Sequence, residues 1–242
     1  MNNASEMTTA AAKTLMCRVE EAQNLTRDIL RLYLIPEAGK HFRHRAGQYV
    51  DIVLHDGVRR SFSIANAPHM GNHIELHIRH VDGGEFSDFI FNQLAAGDSL
   101  EVVGPYGSFF LREDSRRPVI MLAGGTGFAP IKGLVEEILS SGVERPIHLY
   151  WGARTREDLY LHELAQSWSD HPDFHYVPVL SAAEEDAWQG RLGLVHQSVV
   201  QDYPDLSAFE VYANGPRAMI QSAREVFLRH GLPERYYYYD AV

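Results

Sequence analysis

The segment Leu122-Ala123-Gly124-Gly125-Thr126-Gly127-Phe128-Ala129-Pro130 joins an apolar strand to a helix through a glycine-rich turn. Gly125 and Gly127 have the first two spacings of a dinucleotide-binding fingerprint, and Pro130 stands in place of its third glycine. Free amides and the positive end of the helix dipole would face a pyrophosphate, which makes Gly125, Thr126 and Gly127 candidate binding residues. A tight strand–helix turn without a ligand is the alternative interpretation.

The end of the next strand reads Trp151-Gly152-Ala153-Arg154-Thr155-Arg156 and holds no acidic residue before Glu157. In the NAD-binding pattern an acid at this place binds the ribose hydroxyls. Arg154 and Arg156 would instead receive an adenosine 2′-phosphate or stack on the adenine, unless both are simply solvated. The choice between NADH and NADPH therefore stays open.

The second half of the chain alternates apolar strands with helices, a pattern typical of a parallel sheet covered on both faces. A further helix without assigned bounds follows the third strand. The predicted strands are Val119–Leu122, Ile147–Trp151, Phe174–Leu180, Glu210–Ala213 and Tyr236–Tyr239, and the predicted helices are Ala129–Leu139, Glu157–Ser167 and Ala218–Arg229.

The first half has a different rhythm, with six short strand-like runs separated by turn residues, which predicts a small antiparallel β-barrel. One helical period, Glu85–Leu94, follows Gly83-Gly84. The boundary is expected near Arg112–Arg117, giving a flexible tail (1–13), a barrel domain (14–114) and an α/β domain (115–242). The predicted strands are Leu15–Glu20, Ile29–Ile35, Gln48–Leu54, Ser61–Ala65, His73–His80 and Ser99–Val103.

Two barrel segments carry candidate binding residues. In Arg59-Arg60-Ser61-Phe62-Ser63, strand alternation places Arg60 and Phe62 on one side and the two serines on the other. An arginine suits a phosphate and an aromatic ring suits a planar ring system, although an exposed edge strand would look the same. The segment His80–Ser87 places glycines before a helix, so it predicts either a second anion-binding helix start or an ordinary capped loop.

His73, Glu75 and His77 share one strand face at i, i+2 and i+4. Three such residues would bind zinc only with a fourth ligand, which the sequence does not supply. We therefore predict no metal site here and interpret the residues as an exposed polar strand face.

Composition excludes several functional classes. The 242 residues include 22 basic and 32 acidic ones, for a net charge of −10, which argues against a nucleic-acid partner. The single cysteine, Cys17, excludes an intramolecular disulfide and ligation of a four-thiolate iron–sulfur cluster by this chain alone. No apolar run reaches the length of a membrane span and the N-terminus lacks a signal-peptide pattern, so a cytoplasmic location is expected.

Five ordered motifs together resemble the ferredoxin–NADP reductase superfamily, and the resemblance extends from about Leu15 to Val242. It implies a flavin-binding barrel followed by a nicotinamide-nucleotide domain, with FAD (or alternatively FMN) as cofactor and NADH or NADPH as hydride donor. The motifs are Arg60–Ser63, Gly83–Ser87, Gly104-Pro105-Tyr106-Gly107, Gly124–Pro130 and Asn214-Gly215-Pro216.

The resemblance also implies roles for individual residues. Arg60 would bind a flavin phosphate, Phe62 would lie against the isoalloxazine, and Ser63 would hydrogen-bond the ring nitrogen that takes the hydride. The remaining residues that the resemblance assigns to cofactor binding are Ser61, His77, Ile78, Arg79, Gly83, Gly84, Glu85, Phe86, Ser87, Gly215 and Pro216.

The chain departs from this family at two places. Asn214 stands where many relatives have a cysteine beside the nicotinamide, so it is a candidate catalytic residue that would alter hydride-transfer geometry. The chain ends Asp240-Ala241-Val242 instead of on an aromatic ring. The resemblance then places Val242 at the flavin, where it would leave the ring face more open to nicotinamide. It also places Asp240, a further catalytic candidate, near Ser63.

Three functional hypotheses follow. The first is an NAD(P)H–flavin reductase that passes electrons to free flavin or another small acceptor, favoured because this chain has no cysteines for an iron–sulfur domain. The second is a reductase component that serves a separate iron–sulfur protein or oxygenase. The third is a nucleotide-binding subunit without turnover.

Overall fold

The computed structural model describes residues 12–54, 57–142, 145–182, 188 and 190–241. Residues 1–11 of the predicted tail, and Val242, lie outside this part of the chain. The described residues form two six-stranded sheets. The antiparallel and parallel arrangements are as the sequence predicts, but the parallel sheet contains one strand, Arg191–Leu192, that the sequence did not predict.

The antiparallel sheet has the strand order β4-β3-β6-β1-β2-β5. A bridge between Ile64 and Leu76 brings its two edges together, so the sheet nearly closes into a barrel. Inward-facing aliphatic side chains fill the interior, and helix α1 (Glu85–Asn92) covers one end with Phe86 and Ile90. The strands are β1 (Lys13–Asn24), β2 (Ile29–Pro36), β3 (Tyr49–Val53), β4 (Arg59–Ser63), β5 (Ile74–Arg79) and β6 (Ser99–Tyr106).

The parallel sheet has the strand order β10-β9-β8-β7-β11-β12. Strand order reverses at β7, whose neighbours are β8 and β11, and ligands of open α/β sheets bind at such switch points. Its strands are β7 (Val119–Gly124), β8 (Ile147–Ala153), β9 (Phe174–Leu180), β10 (Arg191–Leu192), β11 (Glu210–Gly215) and β12 (Tyr237–Ala241).

Helices cover both faces of this sheet, which explains why its strands are apolar throughout. Helix α2 (Phe128–Ser141) and α3 (His162–Ser167) pack on one face, while α4 (Val195–Asp202) and α5 (Arg217–Arg229) pack on the other. Single 3-10 turns occur at Pro68–Met70, Gly125–Gly127, Trp168–Asp170 and Glu234–Tyr236.

One predicted helix is shorter in the structure. The segment Glu157–Ser167 becomes helical only at His162, because Leu159 and Tyr160 enter the core between α2 and the sheet. Tertiary packing therefore outweighs the local helical period.

None of the helices in the described residues is both long enough and apolar enough to cross a membrane.

The connection from β6 to β7 is fastened to the amino end of the parallel sheet by a buried ion pair. Arg145 Nη1 lies 2.7 Å from Glu210 Oε1, and both side chains are almost fully shielded from solvent. Arg145 also donates to the carbonyls of Ser115 and Arg117. Removing one partner would leave an uncompensated buried charge, which is far more costly than losing a surface pair.

We expect Glu210→Ala to lower the free energy of unfolding by about 3–5 kcal/mol, because Arg145 would stay buried without its counterion. Glu234→Ala, which breaks the exposed pair with Arg224, is the matched control and should cost under about 1 kcal/mol. Urea denaturation of both variants measures the difference. Equal losses would contradict the role assigned to the buried pair.

Candidate functional site

A cavity of about 460 Å³, the junction cavity, lies where the barrel meets the glycine turn of the parallel sheet. Strands β3, β4 and β5 form one wall, the start of α2 forms a second, and β12 contributes Asp240. Its lining residues are Tyr49, Ser61, Phe62, Ser63, His77, Arg79, Thr126, Ala129 and Asp240.

Strand β4 supplies most of the polar wall of the junction cavity. Ser63 pairs with Tyr49 and Ser61 with Asp51 across the β3–β4 ladder. Ser61 Oγ donates to Asp51 Oδ1 at 2.6 Å, so its hydroxyl hydrogen is already engaged. The sequence analysis did not identify Tyr49 as a site residue. Its position opposite Ser63 could be predicted only by knowing that β3 pairs with β4 and in which register.

The predicted alternation of β4 agrees with the ladder, since Phe62 lies opposite the core residue Val50. Phe62 also packs against Phe86 of α1 at a centroid distance of 5.4 Å, which holds its ring against the barrel core. Arg60 is exposed, donates to the carbonyl of Arg59, and does not line the junction cavity. Its proposed contact with a phosphate would lie outside this cavity.

The turn before α1 is shaped by Ser87, whose side chain is buried. Ser87 Oγ accepts from the amide of Val81 and lies within hydrogen-bonding distance of the carbonyls of Val81 and Gly84. Gly83 has φ +72°, and Gly84 is the N-cap, so the first amides of α1, at Glu85 and Phe86, have no intrahelical acceptor. Ser87 thus holds the turn, and any anion would meet main-chain amides.

The turn after β7 is packed so closely that only glycine fits. A Cβ at Gly127 would lie 2.3 Å from the carbonyl oxygen of Asn214, and one at Gly124 would lie 2.5 Å from Met219 Sδ. Gly125 has φ +53° and Gly215 has φ +148°, conformations that side chains disfavour. Backbone rather than side chains therefore forms the floor of this site.

A second cavity of about 400 Å³, the nucleotide cavity, lies at the carboxyl ends of β7, β8, β9 and β11. It includes several residues that the sequence did not single out, because the segments that carry them have no fingerprint. Its lining residues are Arg79, Gly124, Gly125, Gly152, Ala153, Arg154, Asp158, Ser181, Gly193, Leu194, Val195, His196, Pro216, Ala218, Met219 and Ser222.

The other three candidate arginines are placed differently. Arg154 lines the nucleotide cavity, whereas Arg156 forms an ion pair with Glu163 at 3.0 Å and does not line it. Arg79 lines both cavities, and a Cβ at Gly125 would lie 3.7 Å from its Nη2 atom. The sequence shows no acidic residue directly at the end of β8, but the structure places one nearby: Asp158 lines the nucleotide cavity and accepts a hydrogen bond from the Thr155 amide.

The two candidate residues on β11 and β12 lie side by side, since Asn214 pairs with Asp240 in the ladder. Asn214 is fully buried, and neither polar atom of its amide has a hydrogen-bond partner among the described residues. Asp240 lines the junction cavity, as does Ser63. The predicted position of Val242 at the flavin falls outside the described residues.

Of the three residues assigned to one exposed strand face, Glu75 and His77 of β5 are buried and His73, just before β5, is half-buried, so that interpretation is wrong. Helix α2 of the second domain covers this face of β5, and Lys132 of that helix lies 2.8 Å from Glu75. The His77 side chain is fully shielded, so its main chain faces the junction cavity. Ile78 points into the barrel core. The described residues contain no cluster of His, Cys, Asp or Glu suited to a metal.

The residues present fit a flavin and a nicotinamide dinucleotide. The junction cavity combines the aromatic side chains of Tyr49 and Phe62 with hydroxyl and carboxyl groups, as a planar ring with polar edges requires. The nucleotide cavity offers a glycine floor that a Cβ would obstruct, which allows close approach of a pyrophosphate. Arg79 at the border would face anionic groups from either side.

Comparison with known proteins agrees with this geometry. Residues 16–111 match the model of the oxidoreductase FAD-binding domain and residues 121–225 match that of the oxidoreductase NAD-binding domain. The fold and site define a two-domain oxidoreductase that uses FAD and NAD(P)H.

Individual relatives narrow the class further. The chain is 44% identical over its whole length to CDP-6-deoxy-L-threo-D-glycero-4-hexulose-3-dehydrase reductase of Yersinia pestis, of which it covers 72%. It is 33% identical to the NAD(P)H-flavin reductase of Vibrio harveyi, with 90% of this chain and 93% of that protein covered. A ferredoxin reductase in carbazole 1,9a-dioxygenase superposes with a TM-score of 0.84 at 25% identity, covering 95% of this chain and 69% of that one. The chain belongs to the ferredoxin–NADP reductase superfamily.

We expect Gly127→Ala to weaken binding of the nicotinamide nucleotide by about tenfold or more, because its methyl group would force α2 away from β11. Isothermal titration calorimetry with NADH and NADPH measures the loss. Gly39→Ala is the control: φ +76° strains its own turn, but no atom lies within 4 Å of the added methyl group, so the affinity should stay unchanged. Wild-type affinity in Gly127→Ala would show that the close contact does not shape the site.

Proposed function

We propose that the chain is the reductase part of an electron-transfer system. It would take hydride from NADH or NADPH and pass electrons to a separate iron–sulfur protein that serves a dehydrase or oxygenase. The main support for this proposal is the 44% identity, over the entire chain, to a dehydrase reductase. The likeness to a ferredoxin reductase of a dioxygenase supports the same proposal.

The flavin reductase hypothesis remains the alternative, and it is favoured by the similarity to the Vibrio harveyi enzyme. That identity is 33%, against 44% for the dehydrase reductase, so this alternative has weaker support. A nucleotide-binding subunit without turnover has no support, because the chain belongs to a family of oxidoreductases.

The turn before α1 favours a firmly held cofactor over a passing flavin substrate. Its shape is fixed by three contacts of the buried Ser87 hydroxyl, and it presents main-chain amides at a helix start. Such a preformed anion site adds to the affinity for FAD, whose pyrophosphate a mononucleotide lacks. A reductase that serves a protein partner needs its flavin in place between encounters.

When bound, FAD supplies hydride acceptance and stepwise electron release. In this proposal Ser63 and the β5 main chain orient the ring, and the glycine turn with Arg154 holds the nucleotide. Asp240 would border the flavin from the lining of the junction cavity, and Asn214 lies beside it on β11. Holding donor and acceptor in register provides most of the rate.

The only cysteine of the chain takes no part in this route. Cys17 is fully buried in β1, and burial raises the pKa of its thiol to about 12. A thiol in this state is a poor nucleophile and metal ligand. Electrons would therefore leave this part of the molecule directly from the flavin.

A comparison of acceptors tests the proposal. With NADH or NADPH in excess, we expect faster turnover with a two-iron ferredoxin as electron acceptor than with free FMN. Reduction of cytochrome c by the reduced ferredoxin reports the turnover with ferredoxin. Bound FAD should also stay with the protein through gel filtration. Fast, saturable reduction of free FMN together with loss of FAD on the column would establish the flavin reductase instead.

Ser63→Ala tests the assignment of the junction cavity. Loss of the hydroxyl should slow flavin reduction about 10–100-fold in stopped-flow absorbance, if its net contribution is about 1.5–3 kcal/mol. Ser167→Ala, an exposed serine at the end of α3, is the control. Reduction at the wild-type rate in Ser63→Ala would refute the assignment.

A further inference from the structure

A closed circuit of buried contacts links the barrel strand β5 to the glycine turn that follows β7. We call it the interdomain brace, and it consists of Glu75, His77, Lys132, Trp151 and Tyr160. Glu75, His77 and Lys132 are buried titratable residues, and Trp151 and Tyr160 are buried aromatic residues. None of the roles assigned so far uses their side chains.

The brace begins with Glu75, whose two oxygens have different partners. Oε1 faces His77 Nε2 at 2.9 Å, and Oε2 faces Lys132 Nζ at 2.8 Å. Burial alone would raise the pKa of Glu75, but the hydrogen bonds from His77 and Lys132 and the charge of Lys132 lower it below its usual range. Glu75 is thus a carboxylate that can only accept.

The protonation state of His77 follows from these partners. Because Glu75 only accepts, His77 Nε2 must carry the hydrogen. Burial lowers the pKa of His77, so the ring is neutral and Nδ1 keeps its lone pair. Tyr160 Oη, 2.9 Å from Nδ1, is then the donor. One tautomer satisfies both bonds, so the two hydrogen bonds fix the plane of the His77 ring.

Tyr160 transmits this placement to the glycine turn. Its ring stands edge-on to Trp151, with centroids 5.2 Å apart and an interplanar angle of 86°. Trp151 stacks on Phe128 at 3.8 Å and donates from Nε1 to the carbonyl oxygen of Gly125 at 3.0 Å. The brace therefore ends on a main-chain atom of the nucleotide-binding turn.

Lys132 connects α2, the helix that follows the glycine turn, back to Glu75 and so closes the circuit. It lies in α2, seven residues after Gly125, and its ammonium contacts Glu75, Glu136 and the carbonyl of Ala65. The start of α2 is thus held twice against the barrel, at Gly125 through Trp151 and at Lys132 through Glu75. Buried ion pairs add little net stability to a fold. We therefore interpret the brace as a device that fixes the position of α2 relative to the barrel.

We propose that Tyr160, His77 and Glu75 are positioning residues for hydride transfer, because they fix the glycine turn relative to the β5 main chain that lines the junction cavity. The proposal rests on hydride transfer between nicotinamide and flavin, not on the identity of the partner protein. Transfer is sensitive to displacements of about 1 Å, whereas binding of the dinucleotide spreads over many contacts. Loosening the brace should therefore reduce the rate more than the affinity.

Tyr160→Phe removes one hydroxyl and leaves the aromatic packing in place. With saturating NADH or NADPH and FAD-loaded protein, we expect the rate constant of flavin reduction to fall about tenfold. The dissociation constant of the nucleotide should change less than about twofold. Tyr150→Phe is the matched control, because this buried tyrosine of β8, the strand that carries Trp151, donates to Asp202 on the opposite face of the sheet.

A second measurement does not depend on turnover. In FAD-loaded protein without nucleotide, the backbone amides of residues 125–129, 131 and 132 should exchange hydrogen faster in Tyr160→Phe than in wild type or Tyr150→Phe. Tyr160→Phe in a His77→Leu background should add no further loss of rate, because both changes break the same bond. A wild-type rate and exchange in Tyr160→Phe, or an equal loss in Tyr150→Phe, would overturn the proposal.

These outcomes are separable from the partner proposal. Flavin reduction is measured without any electron acceptor protein, so failure to reduce a ferredoxin leaves the test of the brace intact. A normal rate of flavin reduction in Tyr160→Phe, in turn, leaves the partner proposal untouched.

Discussion

The contact of Gly127 with the carbonyl oxygen of Asn214 is the constraint on which the rest of the site depends. A Cβ at Gly127 would lie 2.3 Å from that oxygen, so the turn after β7 can lie this close to β11 only with glycine there. This approach sets where α2 begins. The start of α2 in turn places Thr126 and Ala129 in the junction cavity and brings Lys132 over Glu75. One backbone contact thus determines how the two sheets meet.

The sequence predicts the parts of this architecture that are encoded locally. Glycine spacing after an apolar strand predicts the turn at 124–127, and strand–helix alternation predicts the parallel sheet. The division of β4 into a serine face and a Phe62 face follows from strand alternation alone. The identity of the bound groups required more than periodicity, since it came from the order of five motifs along the chain.

Features that depend on a distant segment could not be predicted in this way. Glu75 and His77 have the pattern of an exposed strand face, and only the packing of α2, more than fifty residues later, buries them. Tyr49 enters the junction cavity through its register with Ser63, which no local signal specifies. Arg156 looks equivalent to Arg154 in sequence, yet Glu163 pairs with it away from the nucleotide cavity. Each case is decided by a partner that pairs or packs at long range.

Arg79 lines both cavities, and its guanidinium approaches Gly125 at their border. A single positive charge therefore contributes to the potential on both sides. An anion bound on one side lowers the attraction available on the other, and thermodynamic reciprocity makes the effect equal in both directions. Two anionic ligands bound in these cavities would thus be coupled energetically through one side chain before any electron moved between them.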